Sequence, residues 1–338
     1  MRLPSLLFRG SPDLVRAAPD PPTLSDDTAR HGRRIPWSRV VLYAVALAAV
    51  PASSAQSASQ PGRPVPPALR ASRVFQPGVR IDWRARRVVV SGRVVFREGV
   101  LEYLACYPGK EHESVVLLDG RAEHVLLALG LVGLRPGTPP RWDEAAERFT
   151  GPTGDLIDVR LWWQEDGTYH AGDGFDWLQE YEFGRPPIAR PWVFTGSRRL
   201  RGGGVAADRM GDGIAVVDKP DALMNLSRSH TESNADLWCL ANTPAIPPLG
   251  TRVWIVLGAA TPRCWKLHAD FRGALYADDR LVTPGDAADL IRLARQLSPD
   301  RPVPIALRGT LRCDAERLRR ALRTAGAEAA AFRFTPRR

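Results

Sequence analysis

The sequence contains almost no lysine. Of its 47 lysine and arginine residues only Lys110, Lys219 and Lys266 are lysine, so 44 are arginine. These arginines are scattered, and no stretch combines a basic run with the interleaved aromatic residues of a surface that stacks bases. The formal net charge of +10 therefore reflects arginine usage, and we expect no nucleic-acid partner.

Cysteine is also scarce, and the four residues present form no C-x-x-C motif. This excludes a zinc ribbon and a thioredoxin-like dithiol. The sequence does not choose among the pairings that Cys106, Cys239, Cys264 and Cys313 allow. A disulfide confined to the C-terminal segment would join Cys264 to Cys313.

Long hydrophobic runs are missing as well. The apolar run Val40–Val50 has eleven residues, fewer than the roughly 20 that a helix needs to cross a bilayer. Arg33-Arg34 precedes this run and the small residues Ser53-Ser54-Ala55 follow it, which is the pattern of a secretory signal. We predict a disordered extension and signal peptide over residues 1–55 and a periplasmic or secreted protein. The alternative is an uncleaved signal that tethers the protein to a membrane.

Recognised phosphate and calcium loops are absent from the sequence. Gly202–Gly204 lacks the lysine and the helix start of a phosphate loop. Asp166-Gly167, Asp173-Gly174 and Asp212-Gly213 lack EF-hand spacing, and we predict hairpin turns at all three.

The middle of the chain has the pattern of a β-rich domain. Residues 56–74 are rich in serine and proline and are typical of a linker. From residue 75 to 261, short β-branched or alternating runs are separated by glycine and proline. In Ile157–Trp163 the apolar residues alternate with Asp158, Arg160 and Trp162, as in a strand with one buried face. One short helix is predicted at Glu123–Leu129, ended by Gly130.

The last segment, residues 264–335, has a different pattern. A hairpin is predicted from Trp265–Phe271 and Leu275–Tyr276, and a strand at Val303–Leu307. Pro284–Leu297 has a helical apolar face. A second helix from Asp314 to Thr324 and a strand at Ala329–Phe334 complete the order β-β-α-β-α-β, which predicts a small two-layer sandwich. The expected fold class is α+β.

The first domain, roughly residues 75–258, resembles the YdjY family of bacterial exported proteins. The resemblance rests on separated motifs that occur in the family's order: Leu101-Glu102, Cys106, Gly109-Lys110-Glu111-His112-Glu113-Ser114, His124 with Leu127-Ala128-Leu129-Gly130, Trp192-Val193-Phe194-Thr195-Gly196-Ser197, Asn242-Thr243, Ile246-Pro247-Pro248 and Gly250-Thr251. The family carries no settled activity. Some relatives have been called iron–sulfur proteins, but the closely spaced cysteines of a cluster are missing here, so we expect none.

The C-terminal segment resembles the periplasmic domain of ExbD/TolR-type proteins. The residues that carry this likeness are Ala274-Leu275-Tyr276, Val303–Leu307 and the helix that ends at Thr324-Ala325-Gly326. The transmembrane helix that precedes this domain in such proteins is absent here. The resemblance implies self-association as a homodimer, or contact with envelope proteins or the cell wall.

The stretch Leu101–Gly133 holds the densest reactive chemistry. Cys106, His112 and His124 could bind zinc or copper, because thiolate and imidazole are ligands of both metals. Lys110, Glu111 and Glu113 are candidate binding residues beside them. Alternatively, Cys106 could be a nucleophile with a histidine base, although no cysteine-hydrolase signature surrounds it. We assign no catalytic residue and expect a non-enzymatic binding or structural module, with the metal- or thiol-dependent site as the alternative.

Overall fold

The computed structural model describes residues 65–144, 148–228, 238–308 and 312–337, which all belong to one compact unit. The predicted signal peptide and residues 56–64 of the predicted linker lie outside these ranges. Residues 67–69, which we expected to be linker, form a short 3₁₀ turn whose Leu69 is buried against the sheet residues Trp254 and Val256. No helix in the described ranges is long and apolar enough to cross a membrane.

The part of the chain up to residue 259 contains fifteen strands and two helices in the described residues. The strands are β1 Arg73–Gln76, β2 Val79–Asp82, β3 Arg87–Val94, β4 Tyr103–Cys106, β5 Ser114–Leu118, β6 Arg141–Asp143, β7 Arg148–Thr150, β8 Leu156–Glu165, β9 Thr168–Asp173, β10 Leu178–Glu180, β11 Trp192–Phe194, β12 Ile214–Ala215, β13 Met224–Leu226, β14 Cys239–Ala241 and β15 Arg252–Ala259. The helices are α1 Ala122–Leu131 and α2 Ala207–Met210.

Eight of these strands close into a barrel-like sheet. Their order is β3-β15-β8-β11-β13-β12-β4-β5, and β5 pairs back to β3. Gly92 of β3 lies at the closing point, where it pairs with both Val253 and Leu118. A Cβ atom at Gly92 would lie 2.5 Å from the Leu117 carbonyl oxygen, so only glycine fits there. Strands β1 and β2 extend the sheet from β3, and β9 extends it from β8.

The main core follows from alternation along the strands. In β8, Ile157, Val159 and Leu161 are buried inside, while Trp162 packs on the opposite face, as the sequence predicts. Helix α1 adds Val125, Leu126 and Leu129 to the same core. The predicted turn at Asp166-Gly167 joins β8 to β9, with both residues at positive φ.

The C-terminal elements form a second sheet with two helices. They are β16 Leu267–Ala269, β17 Leu275–Ala277, β18 Arg280–Val282, α3 Pro284–Leu297, β19 Val303–Arg308, α4 Arg312–Thr324 and β20 Phe332–Arg337. The sheet order is β18-β17-β16-β19-β20. Strand β18 was not predicted from the sequence. It follows a tight turn in which Asp278 and Asp279 both take positive φ without a glycine to mark it.

The C-terminal elements share a core with the first part of the chain. Leu290, Ile291 and Leu293 of α3 are buried in a cluster that also contains Ile188 and Val193. The Trp265 indole nitrogen donates a hydrogen bond of 3.1 Å to the Ala189 carbonyl. The described structure is therefore mixed α+β and dominated by sheet.

Candidate functional site

Cys106 is buried at the end of β4, on the outer side of the barrel-like sheet. The register of β4 against β12 shifts between Ala105 and Tyr103, which is a β-bulge. Tyr103 and Cys106 therefore share one small cluster with Leu117, apart from the main core. Burial raises the pKa of the Cys106 thiol to about 12, although the Ser114 side chain partly opposes this rise. At neutral pH the thiol is protonated.

The loop after β4 carries the predicted binding residues. Glu111–Glu113 form a 3₁₀ turn, and the Glu111 carboxylate accepts a 2.8 Å hydrogen bond from the Gly109 backbone. The Lys110 ammonium lies 2.8 Å from a carboxylate oxygen of Glu113, and this contact raises the pKa of Lys110. His112 is 73% exposed, and its Nε2 lies 3.7 Å from the other Glu113 oxygen.

His124 belongs to the first turn of α1, and its buried Nδ1 has no hydrogen-bond partner among the described residues. Within those residues, no group of three or more His, Cys, Asp or Glu side chains is arranged to hold a metal ion. The structure therefore brings Lys110, Glu113 and His112 together but does not gather Cys106, His112 and His124 as ligands.

A network of charged residues surrounds the Tyr103 ring. The Tyr103 hydroxyl donates a 2.8 Å hydrogen bond to Asp212. The ammonium groups of Lys110 and Lys219 lie 5.8 and 5.5 Å from the ring centroid, a distance at which cation–π attraction contributes. The Lys219 ammonium is 2.6 Å from a Glu102 carboxylate oxygen. We call Glu102, Tyr103, Lys110, Glu113, Asp212 and Lys219 the Tyr103 network.

Burial controls the electrostatics of the Tyr103 network. Tyr103, Asp212 and Lys219 are all buried. Burial and the nearby Asp212 carboxylate raise the pKa of Tyr103 far above its usual range. Burial also raises the pKa of Asp212, against the hydrogen bond from Tyr103. The hydroxyl therefore stays protonated as a donor.

Sequence reasoning missed Glu102, Asp212 and Lys219 as parts of this network. The prediction of a hairpin turn at Asp212-Gly213 is wrong, because these residues lead into β12 beside β4 and the Asp212 side chain is buried against Tyr103. One signal was available. Two of the three lysines of an arginine-rich chain, Lys110 and Lys219, meet here.

A cleft lies between the first part of the chain and the C-terminal elements. Its volume is about 370 Å³. The exposed rings of Tyr181 and Phe183 line it. We call it the seam cleft and define it by Glu180, Tyr181, Phe183, Arg190, Arg228 and Asp286.

Ion pairs between the first part of the chain and the C-terminal elements hold the wall of the seam cleft in place. Buried Arg190 donates a 3.1 Å hydrogen bond to Asp289 of α3, and the Ser227 hydroxyl donates to the same oxygen at 2.8 Å. Arg228 forms an ion pair with Asp286. The cleft thus has polar walls that are already ordered by protein contacts.

Cys264 lies in the segment that leads into β16. Its thiol is exposed and free, so the disulfide with Cys313 considered from the sequence is not formed. The side chain of Cys313 lies outside the described residues. Cys239 of β14 is buried in the main core.

Comparison with known proteins gives one result. The family model of the YdjY domain matches residues 79–258, more than half of the chain. The chain belongs to the YdjY-domain family. The match covers the strands from β2 to β15, including the whole Tyr103 network, and ends before β16. The comparisons contain no support for an ExbD/TolR-like domain after it. No curated protein and no solved structure matches the chain.

Proposed function

We propose that this YdjY-domain protein is a non-enzymatic binding module exported to the cell envelope, and that the seam cleft is its ligand-binding surface. The observation that carries the proposal is the seam cleft itself. It combines two exposed aromatic rings, Tyr181 and Phe183, with the fixed polar groups of Arg228 and Asp286. Small-ligand sites typically have this mixture of apolar walls and a few oriented polar groups.

The Tyr103 network favours a structural role over catalysis. Lys110 pairs with Glu113 and Lys219 pairs with Glu102, so both ammonium groups are held by carboxylates. A catalytic thiol needs a lowered pKa and an adjacent base. The Cys106 pKa is raised instead, and among the described residues no histidine joins it in a metal-type cluster.

The binding role of the seam cleft can be tested by soaking crystals of the protein with a panel of small neutral, cationic and anionic organic probes. We expect bound probes to collect beside Tyr181 and Phe183. Probes that collect around Lys110 and Lys219 while the seam cleft stays empty would overturn the assignment.

Export is proposed from the apolar run Val40–Val50 and the small residues that follow it. Cell fractionation followed by intact-mass measurement tests it. We expect an envelope-associated chain that begins at Gln56. A cytoplasmic chain that retains residues 1–55 would contradict the proposal.

We propose further that the C-terminal elements act as an ExbD/TolR-like two-layer unit that supports self-association or wall contact. The order of β16 to β20 with α3 and α4, and the residues Ala274-Leu275-Tyr276, support this likeness. Light scattering on the purified protein should give the mass of a dimer of the 37.2 kDa chain, less any cleaved signal. A monomer at high concentration would argue against self-association.

A further inference from the structure

Two aromatic rings lie exposed at the rim of the seam cleft. Tyr181 is 67% exposed and Phe183 is 43% exposed. Both line the cleft, and they are two positions apart in the chain that follows β10. Aromatic side chains normally bury their large apolar surface, so two exposed rings beside a cleft mark a contact surface for a ligand.

Carboxylates outnumber arginines in the lining of the seam cleft. Two arginines, Arg190 and Arg228, and three carboxylates, Glu180, Glu182 and Asp286, line it. Arg228 is paired with Asp286, and the Arg190 guanidinium is hydrogen-bonded to Asp289. An anionic ligand would have to displace these carboxylates from the arginines and would be repelled by the remaining carboxylate, so the lining disfavours an anion. Paired charged groups still accept and donate hydrogen bonds to hydroxyl groups at their open edges.

The seam cleft is large enough for a ligand that contains more than one ring. The seam cleft of about 370 Å³ lies within the range of roughly 300–1,000 Å³ of small-ligand sites. A second cleft of about 320 Å³ shares Glu182, Phe183 and Thr283 with it and continues past Leu281. Phe183 therefore lies between two neighbouring spaces, as a stacking ring between successive units of a chain would.

We infer that the seam cleft binds a neutral saccharide chain, with Tyr181 and Phe183 stacking on the C–H faces of its sugar rings and Arg228 and Glu180 bonding to its hydroxyl groups. This inference rests on the proposed binding function of the seam cleft and names its ligand class. A sugar ring offers an apolar face and a rim of uncharged hydroxyl groups. That combination matches exposed aromatic rings above polar walls whose carboxylates disfavour an anion.

The test is isothermal titration calorimetry of the full chain with three neutral trisaccharides: triacetylchitotriose, cellotriose and maltotriose. A double variant, Tyr181→Ala with Phe183→Ala, removes the stacking rings. Phe271→Ala is the matched control, because Phe271 is also exposed, at 59%, and also has an arginine over its ring, as Phe183 has. Far-UV circular dichroism checks that each variant is folded.

We expect at least one trisaccharide to bind, with affinity reduced about tenfold or more in the double variant and changed less than about twofold in Phe271→Ala. A short neutral peptide and citrate are titrated in parallel. If no trisaccharide binds but the peptide or citrate does, in a manner that depends on Tyr181 and Phe183, the saccharide inference is overturned and the binding function stands. If the binding of no probe depends on these two rings, both the saccharide inference and the proposed binding function are overturned.

Discussion

At the scale of single residues, Tyr103 orders the charged residues on the outer side of the barrel-like sheet. Its ring is fully buried beneath the ammonium groups of Lys110 and Lys219. Each ammonium is also held by a carboxylate, that of Lys110 by Glu113 and that of Lys219 by Glu102. Two of the three lysines of the chain therefore lie over one buried ring.

The hydroxyl of Tyr103 is expected to stabilise the fold through Asp212. Tyr103→Phe removes the donor and leaves a buried carboxylate without this partner, so the free energy of unfolding should fall by about 1–3 kcal/mol. Urea unfolding measures the change. Tyr181→Phe is the control, because this tyrosine is exposed and should lose less than about 0.5 kcal/mol. Equal effects of the two changes would count against the Tyr103 network.

The described cysteines should differ in how fast their thiols react with an alkylating reagent. Since the pKa of Cys106 is about 12 and the residue is buried, its thiol should resist iodoacetamide at pH 8. The exposed Cys264 should react quickly. Peptide mass spectrometry of the native protein measures both. Labelling of Cys106 as fast as that of Cys264 would show an accessible thiolate and would restore the nucleophile hypothesis.

Part of the Tyr103 network could be predicted from sequence and part could not. Lys110 and Glu113 were predicted as binding residues because a dense run of charge within a family motif is visible in the chain. Asp212 and Lys219 were not, since they lie over 100 residues after Tyr103 and reach it only through the pairing of β12 with β4. The β4 bulge, which puts Tyr103 and Cys106 on one side, has no sequence signature.

At the scale of elements, α1 begins without a capping residue of its own. Arg121 occupies the N-cap position and makes no capping hydrogen bond. Instead the Asp208 carboxylate, from α2, accepts hydrogen bonds from the backbone of Ala122 at 2.6 Å and of Glu123 at 3.3 Å. A negative charge at this helix end is also favoured by the helix dipole.

Removal of this cap should loosen α1. Asp208→Ala should lower the free energy of unfolding by about 1–2 kcal/mol and speed hydrogen exchange in the first turn of α1. Asp208→Asn keeps an acceptor oxygen without the charge and should lose less. Hydrogen-exchange mass spectrometry separates the cases. Unchanged exchange in Asp208→Ala would contradict the capping role.

Local periodicity and cap residues predict individual helices and strands better than they predict which strands pair with each other. The bounds of α3 agree with the predicted helix Pro284–Leu297, because Thr283 and Asp286 form a capping box around an amphipathic sequence. Strand β18 was missed because two aspartates make its turn. Closure of the barrel-like sheet depends on the pairing of β3 with β5, and the alternation of either strand is compatible with other neighbours.

At the scale of the whole molecule, the YdjY domain and the C-terminal elements are joined by buried ion pairs as well as by a shared apolar core. Arg190 and Arg228 from the first part meet Asp286 and Asp289 of α3. Burial alone would raise the pKa of Asp286, but the Thr283 hydroxyl and the two arginines outweigh it and lower the pKa. The ionised carboxylate is therefore favoured by folding.

This lowered pKa gives a pH dependence of defined sign. Asp286 stabilises the folded chain above its ordinary pKa of 3.8, and that stability is lost as the pH falls through the lower folded value. Asp286→Asn should lower the free energy of unfolding by about 1–3 kcal/mol at pH 7. On acidification, the free energy of unfolding of this variant should fall less than that of the wild type. Asp212, whose raised pKa acts in the opposite direction, is common to both proteins and cancels in the difference. Asp300→Asn is the control, because Asp300 is exposed. If the free energy of unfolding of the wild type and of Asp286→Asn changed in parallel with pH, the account would be contradicted.

The central claim is that the charges of the Tyr103 network are held by one another and not by a metal ion bound beside them. The most direct measurement is the metal content of the full chain after equilibration with zinc or copper and gel filtration, beside His112→Ala. The account predicts folded protein with metal far below one ion per chain, at the same level in both proteins. One zinc or copper per chain, lost in His112→Ala, would contradict it and would return the site to Cys106, His112 and His124.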